Sequence, residues 1–344
     1  MRHLALRAER ALRHLQGVRK DRIEKLFRRI GYITPDQLQV TNYPRRPLAA
    51  FNPGAALLDD KVLVFPRLVF DYRSYTSSVG MFEVPVEDLL EPLTGRRFPT
   101  TIVLWPQRAW EVDRGCEDPR VSLKPNGFRI LYTGVGRLED GDRPGSQAVL
   151  AFAELDREFR LERKGFFRVL SGEGKFVPEN KDSALIEAHG EQATVLTRPM
   201  GLGNAPDMCW RAEADLGKLV IHEETLEPIL APEPWEYKVG WSTNVVQLSE
   251  DEYLVGWHGV LKEDLSYRDG LALVNRNGEL LAISDYLLAP KGLCEEYGDR
   301  ALVIFGDGLL LYKETLIWIG GVSDYSIGVF TAKLSDVLPM LRRI

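Results

Sequence analysis

One ordered triplet of short apolar strands recurs five times between residues 51 and 334, and this repeat constrains the fold more than any other feature of the chain. The third member of each triplet is the clearest: small or glycine residues, then alternating apolar positions, usually running into an acidic turn and a leucine. It occurs at 79–84, 148–155, 208–216, 270–274 and 327–334. An aromatic-containing strand precedes each copy, at 62–69, 128–135, 192–200, 252–260 and 315–322. Before that lies another apolar strand, at 51–57, 117–123, 181–186, 243–248 and 300–305. The period, about 55 to 70 residues, suits a four-stranded blade with long loops. The pattern predicts an all-β chain folded as a five-bladed β-propeller, with a fourth outer strand per blade. A large β-sandwich or two β domains would not usually repeat one ordered triplet in this way.

Ahead of the repeats the periodicity is helical. Leu4, Ala8, Ala11, Leu12, Leu15 and Val18 fall at helical spacing, Gly17 marks a break, and Ile23, Leu26, Phe27 and Ile30 continue as a second short amphipathic piece. The expected organisation is an N-terminal helical extension over 1–40 and a propeller catalytic domain over 41–344. Charge divides similarly: the net −6 is the sum of +7 over residues 1–30 and −13 over the rest. An acidic body does not suit a nucleic-acid groove. The arginines lie mostly off the apolar stripe, so the helix is expected to pack on the body or on a second subunit and to support a homo-oligomer, with no nucleic-acid or membrane partner. No apolar run approaches the roughly 20 residues of a membrane span, and no secretory h-region is evident. Cys116, Cys209 and Cys294 form no CxxC pair, and the five histidines form no HxH or HxxxH. No disulfide framework or metal site is therefore expected, and a cytoplasmic location is the natural reading.

In a propeller, polar residues at the mouths of the inner strands converge on the axis. Those residues are Asn52, Glu117, Asp118, Arg120, Lys181, Asp182 and Asn244, with Arg67, Arg198 and His258 at the ends of the following strands. An acid among cations suits transfer of a group to or from an anion. The sharpest segment is Gly115-Cys116-Glu117-Asp118-Pro119-Arg120-Val121: Pro119 removes a ladder donor, and adjacent carboxylates on an extended strand face opposite ways. Taken alone, this could be a structural Asp–Arg turn. Lys181 alone could be a solvated loop lysine, and His258 a packing histidine. Tyr267 adds a hydroxyl. Gly201-Leu202-Gly203-Asn204 lacks the strand–helix context of a dinucleotide loop.

The ordered set of motifs resembles glycoside hydrolase family 130, the β-mannoside phosphorylases and related β-mannosidases. It comprises FNPGA (51–55), SSVG (77–80), EDPRV (117–121), LYTGV (131–135), PENKDSAL (178–185), TRP (197–199), WEYKVG (235–240), WHGV (257–260), YRDGLAL (267–273) and a closing stretch over 318–334. The resemblance implies a five-bladed propeller, in agreement with the repeat count. It implies Asp118 as catalytic acid, with the proton reaching the glycosidic oxygen through a mannose hydroxyl, and Lys181, Arg198, His258 and Tyr267 as the phosphate-holding set. Asn52, Arg67, Ser78, Glu117, Asp182 and Asn244 are implied as substrate contacts. The activity implied is inverting phosphorolysis of a β-linked manno-oligosaccharide to α-mannose 1-phosphate. Inorganic phosphate is the co-substrate, with no cofactor and no metal; phosphate as nucleophile removes the need for a second carboxylate base. The departures are Trp241-Ser242-Thr243-Asn244, where relatives often carry a Gly/Pro-rich run, Phe65-Pro66-Arg67, and Ile317-Trp318-Ile319. The alternatives are a β-mannosidase, an invertase-like or arabinanase-like propeller glycosidase, and a non-catalytic glycan- or protein-binding propeller.

Overall fold

The computed structural model describes residues 1–138 and 145–344. Five antiparallel blades follow one another along the chain. Their innermost strands are Ala49–Leu58, Gly115–Lys124, Glu179–His189, Glu236–Gln247 and Ile304–Tyr312. These pack on one another in a closed ring, the first against the fifth. The middle strands, Lys61–Val69, Gly127–Gly136, Gln192–Met200, Tyr253–Leu261 and Thr315–Val322, agree with the expected segments to within a residue. The third strands are Ser77–Pro85, Gln147–Leu155, Cys209–Asp215, Tyr267–Val274 and Ser326–Lys333. The chain is thus an all-β, five-bladed propeller preceded by a helix. Fully buried Trp210, Trp241 and Trp257 fill the core shared by blades 3 and 4, and Trp318 that between blades 4 and 5.

The structure departs from the sequence reading in several places. The innermost strand of blade 4 begins at Glu236, seven residues ahead of the expected 243–248. The innermost strand of blade 5 runs from Ile304 to Tyr312, later than the expected 300–305. The apolar run continues past Phe305 on both sides of the Gly-Asp-Gly, so periodicity could not set its register. A further correction concerns residues 23–30, which form no helix. Arg28–Ile33 is a β-strand, paired antiparallel with Ile327–Thr331 as the outer strand of blade 5. The N-terminal chain thus completes the last blade and closes the ring. Within residues 1–40, the α-helical part is Arg2–Leu15, while Leu38–Val40 pairs with Phe98–Leu104 of blade 1.

The helix lies on blade 3 of its own propeller, where Leu4 and Ala8 are buried. Arg7 Nη1 donates to the carbonyls of Glu223 and Leu226 at 2.6 and 2.9 Å. After the helix, the backbone N–H groups of Gly17, Val18 and Arg19 all donate to the Glu233 carboxylate. Arg19 is 3% exposed, ion-paired with Glu236, and lies 4.6 Å from the Trp257 ring centre. This part of the basic segment is fastened to the body.

Candidate active site

Asn52, Asp118 and Asp182 occupy equivalent positions in the innermost strands of blades 1, 2 and 3. At each the register slips against the middle strand. Each takes a left-handed backbone, with φ of 43, 51 and 54°. Asn and Asp enter that region more readily than other non-glycine residues, so the bulge can carry a polar side chain. In blade 4 the corresponding bulge holds Ser242, Thr243 and Asn244; in blade 5 it holds Asp307. Opposite the residues just before or at these bulges stand Arg67, Arg198 and His258, contributed by the middle strands. One backbone device, repeated around the ring, thus gathers the acids and bases at one mouth of the channel.

The first group centres on Asp118. Its Oδ1 accepts from Asn52 Nδ2 at 2.9 Å and Arg67 Nη1 at 3.0 Å. Arg67 also donates through Nη2 to Glu117 at 2.8 Å and through Nε to Ser77 Oγ at 2.8 Å. Lys181 Nζ donates to the other Glu117 oxygen at 2.9 Å. Glu117 is fully buried, and burial alone would raise its pKa. Arg67, Lys181 and Arg114 outweigh this and hold it at about 2. Gly321 makes room for Asn52, whose Oδ1 would lie 1.9 Å from a Cβ placed there.

The second group centres on Asp182. Its Oδ2 accepts from Arg198 Nε at 2.6 Å and lies 3.7 Å from His258 Nε2; Arg198 Nη1 also donates to Asp207 at 3.0 Å. Tyr267 stacks on His258 with ring centres 5.3 Å apart, and Phe305 meets His258 edge-on. The two groups are joined by Arg120, which donates to the Asp118 carbonyl at 2.8 Å and lies 2.9 Å from Asp307 and 3.6 Å from Asp182. Burial opposes ionisation of both acids. Arg198 and Arg120 nevertheless hold Asp182 below the usual carboxylate range, while Asp307, facing the shared Arg120, stays well above it. Two nearby carboxyls are thereby driven apart. Burial likewise pushes Tyr267 up and His258 well down.

Lys238 adds a cation at the edge of this group. Its ammonium lies 5.5 Å from the centre of the Tyr267 ring, and the guanidinium of Arg300 lies 4.9 Å from the same ring. Burial first, and then repulsion from Arg198, lowers its pKa to about 8; Arg300 and Lys181 act in the same direction. A lysine held down mainly by burial, and further by cationic neighbours, is poised to gain from an incoming anion.

The structure therefore brings together Asn52, Arg67, Glu117, Asp118, Lys181, Asp182, Arg198, His258 and Tyr267. It does not bring Asn244 to them: its amide bridges blades 4 and 5, exchanging two hydrogen bonds with the Leu309 backbone at 2.9 and 3.0 Å. Asn244 borders a cavity of about 500 Å³ lined by the later halves of the five innermost strands, at the opposite end of the channel. Ser78 is buried with an unpartnered hydroxyl beside a cavity of about 540 Å³ on the outer side of blade 1, and its neighbour Ser77 is the residue that meets Arg67. Sequence reasoning missed Asp307, Ser242, Asp269, Lys238 and Arg300. Asp307 was legible as a polar residue beside glycine at the same place as Asn52, once blade 5 is aligned correctly. Lys238 lies within WEYKVG.

The family model for glycoside hydrolase family 130, described as β-1,4-mannooligosaccharide phosphorylase, matches residues 17–343. A β-1,2-mannobiose phosphorylase of Listeria innocua is 25% identical over 236 residues, which are 66% of this chain and 60% of the relative. A 1,2-β-oligomannan phosphorylase of a Thermoanaerobacter species is 26% identical over 231 residues, 65% of this chain and 70% of the relative. The structure of the Listeria innocua β-1,2-mannobiose phosphorylase in complex with β-1,2-mannobiose superposes with a TM-score of 0.67 at 20% identity, covering 90% of this chain and 96% of that one.

Proposed function

Because the chain belongs to glycoside hydrolase family 130, we propose that it is an inverting β-mannoside phosphorylase, converting a β-linked manno-oligosaccharide and phosphate to α-mannose 1-phosphate and a shortened oligosaccharide. In this reading Asp118 is the catalytic acid. Asn52 and Arg67 fix its Oδ1, and its proton passes to the glycosidic oxygen by way of a mannose hydroxyl as the bond from C1 to that oxygen breaks. A phosphate oxygen attacks C1 from the opposite face and forms the new bond, so configuration inverts. Lys181, Arg198, His258 and Tyr267 hold the phosphate, with Lys238 and Arg300 adding to the field that receives it. Fixed cations both concentrate the dianion and orient it for attack. Glu117 and Asp182 keep Lys181 and Arg198 in place.

The observation that supports phosphorolysis over hydrolysis is the gathering of Lys238 and Arg300 about the Tyr267 ring, with Arg198 on Asp182 beside it, since an inverting hydrolase activating water gains little from so many cations. The decisive experiment is incubation with β-1,2- and β-1,4-mannobiose, each with and without inorganic phosphate. Phosphate-dependent release of α-mannose 1-phosphate is expected. Equal release of free mannose without phosphate would replace the reading with a β-mannosidase. The names of the two curated relatives place the β-1,2 linkage first among those to test.

A further inference from the structure

Blade 4 departs from the other blades: its bulge carries Ser242, which makes a buried link behind the phosphate-side histidine. Ser242 Oγ lies 3.1 Å from His258 Nδ1 and 3.4 Å from Asp269 Oδ1, and none of the three residues is more than 1% exposed. The other edge of the ring presents Nε2 to Asp182 Oδ2 at 3.7 Å. Tyr267 and Phe305 hold the ring in place. Gly240 leaves the space beside it, where a Cβ would come within 2.5 Å of both His258 Cε1 and Asp182 Oδ2. The charged groups acting on His258 are Asp182, Arg198, Lys238 and Arg120.

Hydrogen-bond accounting orients this chain. Neutral imidazole has one N–H and one lone pair. A lone pair at Nε2 facing a carboxylate would be repelled, so Nε2 carries the hydrogen and Nδ1 must accept. Ser242 supplies the hydrogen to Nδ1. Its oxygen can then only accept from Asp269, which must be the protonated acid. Asp269 fits that role: it is buried, its Oδ2 is unpartnered, and burial pushes its pKa well up. Burial, reinforced by three nearby cations, keeps the imidazole itself uncharged.

We propose that Ser242 and Asp269 are positioning residues: the relay from Asp269 through Ser242 to His258 fixes the histidine as a neutral Nε2–H donor aimed at the anion held beside Asp182 and Arg198. The geometry stands on its own, whereas the identity of the anion rests on the reading of the site as a phosphate site. An Nε2–H donor can bind phosphate without a change in its own protonation. The alternative tautomer would turn a lone pair on the incoming anion.

Nitrogen-15 NMR of the histidine side chains tests this without turnover, together with phosphate kinetics. Wild-type His258 should show a protonated Nε2 and a bare Nδ1 throughout about pH 6 to 8. Asp269→Asn, whose amide can still donate to Ser242, should keep that pattern and a phosphate KM within about twofold. Asp269→Leu and Ser242→Ala should lose the single tautomer and raise phosphate KM about three- to tenfold, with kcat changed less. A proton on Nδ1 or a charged His258 in the wild type overturns the proposal, as does an Asp269→Asn enzyme impaired as severely as Asp269→Leu. Because the wild-type spectrum needs neither phosphate nor a variant that folds, absence of phosphate-dependent activity would sink the phosphorylase reading and leave the tautomer decided separately.

Discussion

At the scale of residues, the site is a set of buried charged groups held in place by their neighbours. Asp118 has one oxygen held by Asn52 and Arg67. Asp118→Asn keeps a similar shape but cannot supply a proton, so kcat should fall by about 10² to 10⁴ while thermal unfolding stays close to wild type. Residual kcat above a tenth of wild type would remove it from the role of acid. Lys238 yields a prediction in pH. Its pKa of about 8 lies below the lysine value of 10.5, so it is charged below about pH 8 and neutral above it. Phosphate KM should therefore rise as pH passes upward through about 8, and Lys238→Met should flatten that rise. Stability has the opposite sense: the unfolded chain holds this proton up to the ordinary lysine value, so the ligand-free protein gains stability with rising pH between about 8 and 10.5. Thermal shift with and without phosphate across this range separates the two effects.

At the scale of elements, the recurring unit is the bulge in the innermost strand together with the residue facing it from the middle strand. The bulge turns Asn52, Asp118 and Asp182 inward, and the glycines facing it are part of the device. Gly240→Ala should displace Asp182 or His258, because its Cβ would meet both at 2.5 Å. Strain of about 1–3 kcal/mol there predicts a phosphate KM raised by about fivefold or more. Gly172→Ala, whose Cβ meets nothing within 4 Å, is the control and should behave as wild type. Equal kinetics for the two variants would mean that the facing glycine does not set the site. These elements were legible unequally. FNPG, EDPR and NKDS could be aligned because Asn or Asp stands beside Pro or Ser in each. Blade 4 offers Trp-Ser-Thr-Asn and blade 5 Gly-Asp-Gly, so neither announced its place and Asp307 went unassigned.

At the scale of the whole molecule, closure depends on chain that is distant in sequence from its partner. Arg28–Ile33 completes blade 5, while Arg342–Arg343 adds to the edge of blade 4. Removal of residues 1–15 takes away the buried Leu4 and Ala8 but leaves all five blades. Burial of one leucine is worth about 2 kcal/mol, so this truncation should lower Tm by several degrees and retain catalysis. Removal of residues 1–33 deletes the closing strand and should abolish the cooperative transition, as seen by calorimetry; similar melting of the two truncations would refute the closure role. The expectation of a helix-supported homo-oligomer is tested on the shorter truncation, and an unchanged subunit number counts against it.

By itself, the sequence determined the number of blades, the order of strands within each and the presence of an acid among cations. Alternation and repeat are local properties that survive without coordinates. The tertiary structure alone decided which polar residues meet. The outer strand of blade 5 comes from residues 28–33, which carry a pattern compatible with a short helix until Ser326–Lys333 offers them an edge to pair with. Asn244 sits in the bulge of an inner strand, yet its amide turns away from the site and bonds to Leu309. The states of Asp307, Lys238 and His258 depend on burial and on charges brought from other blades, which are through-space quantities no local pattern encodes.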